Sequence, residues 1–400
     1  MADNIRPFRG RAPEPTAEEE RQLQRQVRKH RIQSRAAVLV FLLAALLLIV
    51  YFYIDYQRKE YSGCEILEWN ELSGMENSQS RVFGDNLLRY NKDGAAYITY
   101  GNEQIWNQPY EMQEPILDVG TEAAAIADRN GNDIYIFGKD GLKGEIKTLL
   151  PIQKIAVSDA FTIAVLLKDG DVSRIHYYNS SGELISEMRI GMDNMGYPMA
   201  MDLSPNGNLF MLSFLSVSGG SMNSVISFYN FGNVGQEYND RLVKAKTYED
   251  TVFPVVKFLD DSTSAAYGDN LTQLFSGSQI PEEGEAISFD CEIKSVFSDR
   301  KYLGFILEGK EGEASYLLEV YDRKGSLLFS SPVDFSYSGA KIDREKVILF
   351  NDTECAIYSM NGVRKYQGEP GMTIRDIIST NKQSGYLVVT PTELNRIKLK

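Results

Sequence analysis

Hydrophobic positions follow two rhythms along this chain. From Ala36 to Ile54 they are unbroken, AAVLVFLLAALLLIVYFYI. At about 1.5 Å per residue this run spans roughly 28 Å as a helix, close to the hydrocarbon thickness of a bilayer. Beyond it the apolar residues come in short bursts: AAYITY, DIYIFG, TIAVLLKDG, NLFMLSF, YLGFILEG, KVILFND and GYLVVT, divided by Gly, Asn and Asp. Such runs predict hairpins of an all-β domain.

Two features of the bursts repeat. HYYNSSGELISEMRI, EVYDRKGSLLFSSPV and IYSMNGVRKYQGEP each turn at a glycine, Gly182, Gly325 or Gly362, as a turn of positive φ requires, and IYIFGKDGLKGEIKT near Gly141 is a looser copy. Ahead of such hairpins lies a strand with one charge among apolar neighbours. Its charged residues are Asp118, Lys154, Asp202, Lys257, Lys294, Lys341 and Asp376, with Arg81 as a weaker first member. Seven steps cover residues 81 to 376, a mean of about 42, the period of a four-stranded propeller blade. The prediction is an eight-bladed β-propeller, with seven blades as the alternative, preceded by one transmembrane α-helix. From IRDII onward only three strands remain, its own with GYLVVT and NRIKLK, so CEILEWN, residues 64–70, is expected to pair with the open edge and close the last blade.

Flanking charge orients the anchor. Residues 1–35 carry nine Lys or Arg against five Asp or Glu, whereas Arg58 and Lys59 are the only cations just beyond the run. Basic flanks stay in the cytoplasm, and Tyr51, Tyr53 and Tyr56 suit the opposite headgroup layer. The expected division is a basic tail over 1–35, a membrane helix over 36–54, a linker over 55–61 and an extracytoplasmic propeller over 62–400. A cleaved signal peptide fits poorly, because the run is long and ends in YFYIDYQRKE without a small-residue cleavage site. Within the tail, Thr16 and Glu19 have capping-box spacing, and a helix is expected from there into the membrane. Leu23, Val27 and Ile32 are too sparse for a coiled coil. The remaining 365 residues hold 33 basic and 50 acidic side chains, a balance that opposes binding to nucleic acid.

Catalytic signatures are few. His30 belongs to the tail and His176 stands alone in a strand; Cys64, Cys291 and Cys355 lack zinc spacing and read as free thiols. DRNGND, residues 128–133, lacks the order of a calcium loop and reads as a turn. YGNEQIWNQ around Trp106 resembles the docking motif of quinoprotein blades, but it occurs once. No motif asks for a cofactor, a metal or a catalytic residue. Paired carboxylates remain open to glycan chemistry, although no pair stands out.

The charged strands are the one ordered set of ionisable groups. Inner strands line a propeller's channel, so the eight charges are expected to form an axial ring, Asp118 pairing with Lys154 and Asp202 with a lysine of a neighbouring blade. A sharper reading gives the surplus near Lys257, Lys294 and Lys341 to an anionic ligand. Blade 4 departs most from the period, with SFLSVSGGSMNSV and a long stretch after it, and Phe231, Tyr238 and Tyr248 are its expected contact residues.

LLRYNKDG, NQPYEMQEPILDV, LSVSGG, FYNFGNVGQ, YEDTVFPVVKFL and EIKSVFSDRKYLG together resemble a family of unknown function, single-pass membrane proteins of anaerobic Gram-positive bacteria. The resemblance covers nearly all of 60–400. It implies a short tail, one anchor and an exported WD40-like or quinoprotein-like propeller, and it brings no catalytic residues. The favoured function is a noncatalytic scaffold in the cell envelope, tied to lipid through 36–54 and binding an envelope protein. The alternative is an envelope enzyme or sensor acting on cell-wall glycan or another envelope ligand.

Overall fold

Eight four-stranded antiparallel sheets account for every strand among the described residues of the computed structural model. The structure describes residues 17–72, 75, 77–190, 196–218, 220–310, 314–382 and 384–400. The capping box at Thr16 and Glu19 and the side chains of Leu23, Val27, Ile32 and Tyr56 lie outside what is described. The chain divides into two units between Lys59 and Glu60.

The first unit contains one continuous helix, Ala17–Arg58, whose sequence has no Gly or Pro to break it. Its stretch Ala37–Asp55 is long and apolar enough to cross a membrane, with a mean hydropathy of 2.9 and none of it buried.

The second unit is an eight-bladed propeller. Blades 1 to 7 occupy 79–109, 115–147, 152–190, 197–248, 255–288, 293–333 and 339–368. Blade 8 takes three strands from 376–399 and its outermost strand from Cys64–Glu71. Ile66 lies opposite Ile397 and Trp69 opposite Asn395, with a bulge at Leu67 between them. Residues 63 and 400 exchange backbone hydrogen bonds at the end of this seam, Gly63 N–H donating at 3.2 Å and Lys400 N–H at 2.8 Å.

Packing between blades explains the sequence pattern. The second strand of blade 2, Ala123–Asp128, is buried at every position, and so is Gly385–Val389 of blade 8. A middle strand covered by a neighbouring blade on each face has no solvent side, so the alternation of polar and apolar residues disappears. Outer strands regain it, as in Leu184–Ile190 of blade 3. Eight apolar clusters fill the eight gaps between neighbouring blades. The last joins Leu87, Ala96 and Ile98 of blade 1 to Ile378, Leu387 and Leu394 of blade 8, which completes the circle and excludes seven blades.

Local chemistry at the turns follows the same logic. Gly182, Gly325 and Gly362 have φ of 79°, 86° and 80°, a region that favours glycine. Trp106 is stacked between Tyr97 and Phe137, its ring 4.9 Å from that of Phe137, and its indole N–H donates to the Lys139 carbonyl of blade 2. Asp128, in the DRNGND turn, accepts from the Gln113 and Glu114 amides at 2.9 and 2.8 Å. Cys64, Cys291 and Cys355 are free thiols, and only Cys355 is buried.

Candidate functional site

The inner strand of each blade ends in a turn closed by Phe83, Gly120, Ser158, Ser204, Leu259, Asp299, Asp343 or Thr380. Two residues before each closing residue lies one layer of the channel wall: Arg81, Asp118, Ala156, Asp202, Lys257, Phe297, Lys341 and Ile378. Five of the eight expected ring members therefore share a level. Lys154 and Asp376 lie two residues earlier in their strands, on the same side but nearer the opposite mouth. Lys294 falls within a bulge between Ile293 and Ser295 and leaves the layer altogether.

One half of the ring is drawn together. Lys257 of blade 5 donates to Asp202 of blade 4 at 2.9 Å and lies 4.0 Å from Asp118 of blade 2. The second oxygen of each aspartate caps the inner strand of the following blade: Asp118 accepts from Val157 N–H at 2.7 Å, Asp202 from Phe258 N–H at 2.6 Å. Farther down, Asp159 of blade 3 accepts from the Thr121 and Glu122 amides of blade 2 and pairs with Arg300 of blade 6. Contacts between blades that are not neighbours can only pass through the channel. This end of it narrows to a pocket of 270 Å³ holding Asp159, Asp202, Lys257, Asp299 and Arg300.

Burial pushes the Asp202 carboxyl up to about 6, against the pull of Lys257 and with a further push from Asp118. Burial alone would lower the Lys257 ammonium, but Asp202 and then Asp118 outweigh it and hold the proton more firmly than in an ordinary lysine. The Lys257 side chain keeps 43 % of its surface open to the channel.

Several expectations are corrected here. Asp118 does not pair with Lys154, whose ammonium donates instead to the Met199 carbonyl of blade 4. The three lysines assigned to an anion are all engaged by carboxylates. Lys257 has Asp202, Lys341 has Asp376 at 2.5 Å, and Lys294 has Glu292 at 2.7 Å and Glu308 at 3.4 Å. No surplus of charge remains on them. Phe231 is a packing residue, stacked on Tyr177 of blade 3 with ring centres 3.9 Å apart. Tyr248 packs edge-on to Phe253 and donates to Glu283 at 2.7 Å. Tyr238 alone of the three is exposed. The exposed apolar pair of blade 4 is instead Val217 opposite Met222, 70 % and 55 % exposed at the end of the long hairpin Leu209–Ser218 and Ser221–Asn230. His176 Nδ1 sits 2.9 Å from the Tyr178 hydroxyl, a structural contact.

Sequence reasoning missed Arg375, Asp159 and Arg300. Arg375 stands beside Asp376 in IRDII, and its only signal was a second charge in a motif that otherwise carries one.

With this geometry in place, residues 57–399 match the profile of a family of unknown function, DUF5711. The chain belongs to DUF5711. No curated protein matches it. Among solved structures, this DUF5711 chain is similar to BamB from Moraxella catarrhalis, with a TM-score of 0.51 and 11 % identity over 84 % of this chain and 100 % of BamB. It is similar also to the Dos1 propeller, with a TM-score of 0.52 and 10 % identity over 84 % of this chain and 95 % of that one. At such identities the likeness concerns the fold alone.

Proposed function

We propose that this chain is a noncatalytic interaction scaffold of the cell envelope, tethered by its N-terminal helix and presenting the propeller outside the cytoplasm to a protein partner. The observation that carries the reading is the bare apolar stretch Ala37–Asp55 joined to a closed ring whose ring aspartates are committed to structural partners. Exposed Arg25, Arg28, Lys29, Arg31 and Arg35 precede the stretch and favour a cytoplasmic N-terminus. Val217 and Met222 supply an apolar contact on a rigid hairpin.

The test has two arms. Protease added to intact cells should digest the propeller, and a photo-crosslinker at Val217 in native membranes should give one discrete adduct that Met222→Asp abolishes. Protection from protease, or crosslinking indifferent to Met222→Asp, overturns the scaffold reading.

A second reading, an envelope enzyme or sensor acting on glycan, is favoured by one observation. Asp159, Asp202 and Asp299, from three blades, share the 270 Å³ pocket, and burial pushes Asp202 up to about 6. Asp299 is bound to the Lys301 and Tyr302 amides of its own turn. Saturable glycan binding or cleavage lost in Asp202→Asn would support this reading over the scaffold.

A further inference from the structure

The other half of the channel is built differently. Blades 6, 7, 8 and 1 wall a cavity of 700 Å³, and a neighbouring cavity of 370 Å³ lies where blades 8 and 1 meet. Arg81, Arg375 and Asp376 line both. The other charged lining groups are Lys341, Asp343 and Asp352. Lys341 and Asp376 neutralise each other, and Asp343 accepts from Ser379 N–H at 2.6 Å. Asp352 sits exposed on the turn that follows the strand Lys346–Phe350.

In the larger cavity Asp343 and Asp352 offset the two arginines in charge, whereas in the smaller one the arginines meet only Asp376, which Lys341 already neutralises. The Arg81 guanidinium donates to the carbonyl of Ser80 at 3.2 Å, and among the described residues neither Arg81 nor Arg375 enters an ion pair. Elsewhere in the channel Lys257 is matched by Asp202 and Arg300 by Asp159, while the Lys154 ammonium is held by the Met199 carbonyl. A guanidinium presents a planar fork that suits the two oxygens of a phosphate or carboxylate. Two such forks on one concave wall favour a ligand with two anionic groups, and the volume is that of a small-molecule site.

We propose that Arg81 and Arg375 form a binding site for a small oligoanion, a molecule bearing two neighbouring phosphate or carboxylate groups, in the half of the channel between blades 6 and 1. This site is separate from the lysines of the zipped half and does not depend on the scaffold reading. Arg81 contributes from the ring layer and Arg375 from the position just before the blade 8 inner strand Asp376–Ser379.

The test is calorimetric titration of the full chain in neutral detergent with inorganic pyrophosphate and, separately, succinate. Saturable binding of either is expected, and the preferred probe separates phosphate from carboxylate chemistry. Arg81→Gln and Arg375→Gln should each weaken it at least tenfold, with Arg375→Lys intermediate because the charge stays and the fork is lost. Arg396→Gln, at the outer rim where Arg396 pairs with Glu68 at 3.1 Å, should bind as the parent does. Melting midpoints of all variants confirm that they are folded. Absence of saturable binding by both probes, or equal weakening in Arg396→Gln, overturns the proposal.

Discussion

Lys257 of blade 5 donates to Asp202 of blade 4 at 2.9 Å, and Asp118 of blade 2 stands 4.0 Å from the same ammonium. One cation thus joins three blades at the axis. Replacing it by Met leaves the 4 % exposed Asp202 without its counter-ion. Breaking a fully buried pair from one side costs about 3–5 kcal/mol, and the 43 % exposure of the Lys257 side chain screens this one to about 1–3 kcal/mol. Lys257→Met should lower stability by that order in chemical denaturation, and adding Asp202→Asn should restore much of the loss. A Lys257→Met protein as stable as the parent would show that the pair holds nothing together.

The pH dependence of this group has a definite sign. Asp202 titrates at about 6 in the folded chain against an ordinary 3.8, so the native state holds the proton where the unfolded state has released it. Its contribution to stability is full below about 4 and declines as the pH rises to about 6, by up to about 3 kcal/mol. The difference in denaturation midpoint between the parent and Asp202→Asn, followed from pH 4 to 7, should change over that window. A constant difference would refute it.

Phe231 and Tyr238 separate packing from exposure within one segment. Phe231→Ala removes a ring stacked on Tyr177, and a loss of about 3 kcal/mol is expected. Tyr238→Ala should stay within about 0.5 kcal/mol. Melting curves of the two variants decide the matter, and equal midpoints would contradict the packing role.

The seam offers a fourth prediction. Residues 63 and 400 exchange hydrogen bonds, so by antiparallel alternation the next bonded pair is Glu65 with Lys398. Glu65→Pro removes that donor and should cost about 2 kcal/mol. Amide exchange in Glu393–Leu399 should accelerate selectively. Uniform exchange across all blades would argue against a local seam.

The eight-blade count was legible because every inner strand is short, apolar and marked by a turn at a regular interval. The level of each charge was not. The bulge at residue 294 takes Lys294 out of the layer, whereas Lys154 and Asp376 simply stand two residues farther from their turns, and a motif seen in sequence carries no record of where its turn closes. Arg81, in a strand without a bulge, falls on the expected layer. Phe231 looked like a loop residue because its partner Tyr177 belongs to another blade. Arg375 was passed over because its cavity exists only once blades 7, 8 and 1 are assembled.

Uniting residues 64–71 with 393–399 ties ring completion to the order of synthesis. A nascent chain can fold blade after blade while its first strand waits without a mate. Bringing such distant ends together from a random coil would cost about 5 kcal/mol, so the blades in between must already stand in place to deliver them. A ribosome that stops early therefore releases an open arc with bare strand edges, a species inclined to borrow a strand from its neighbour.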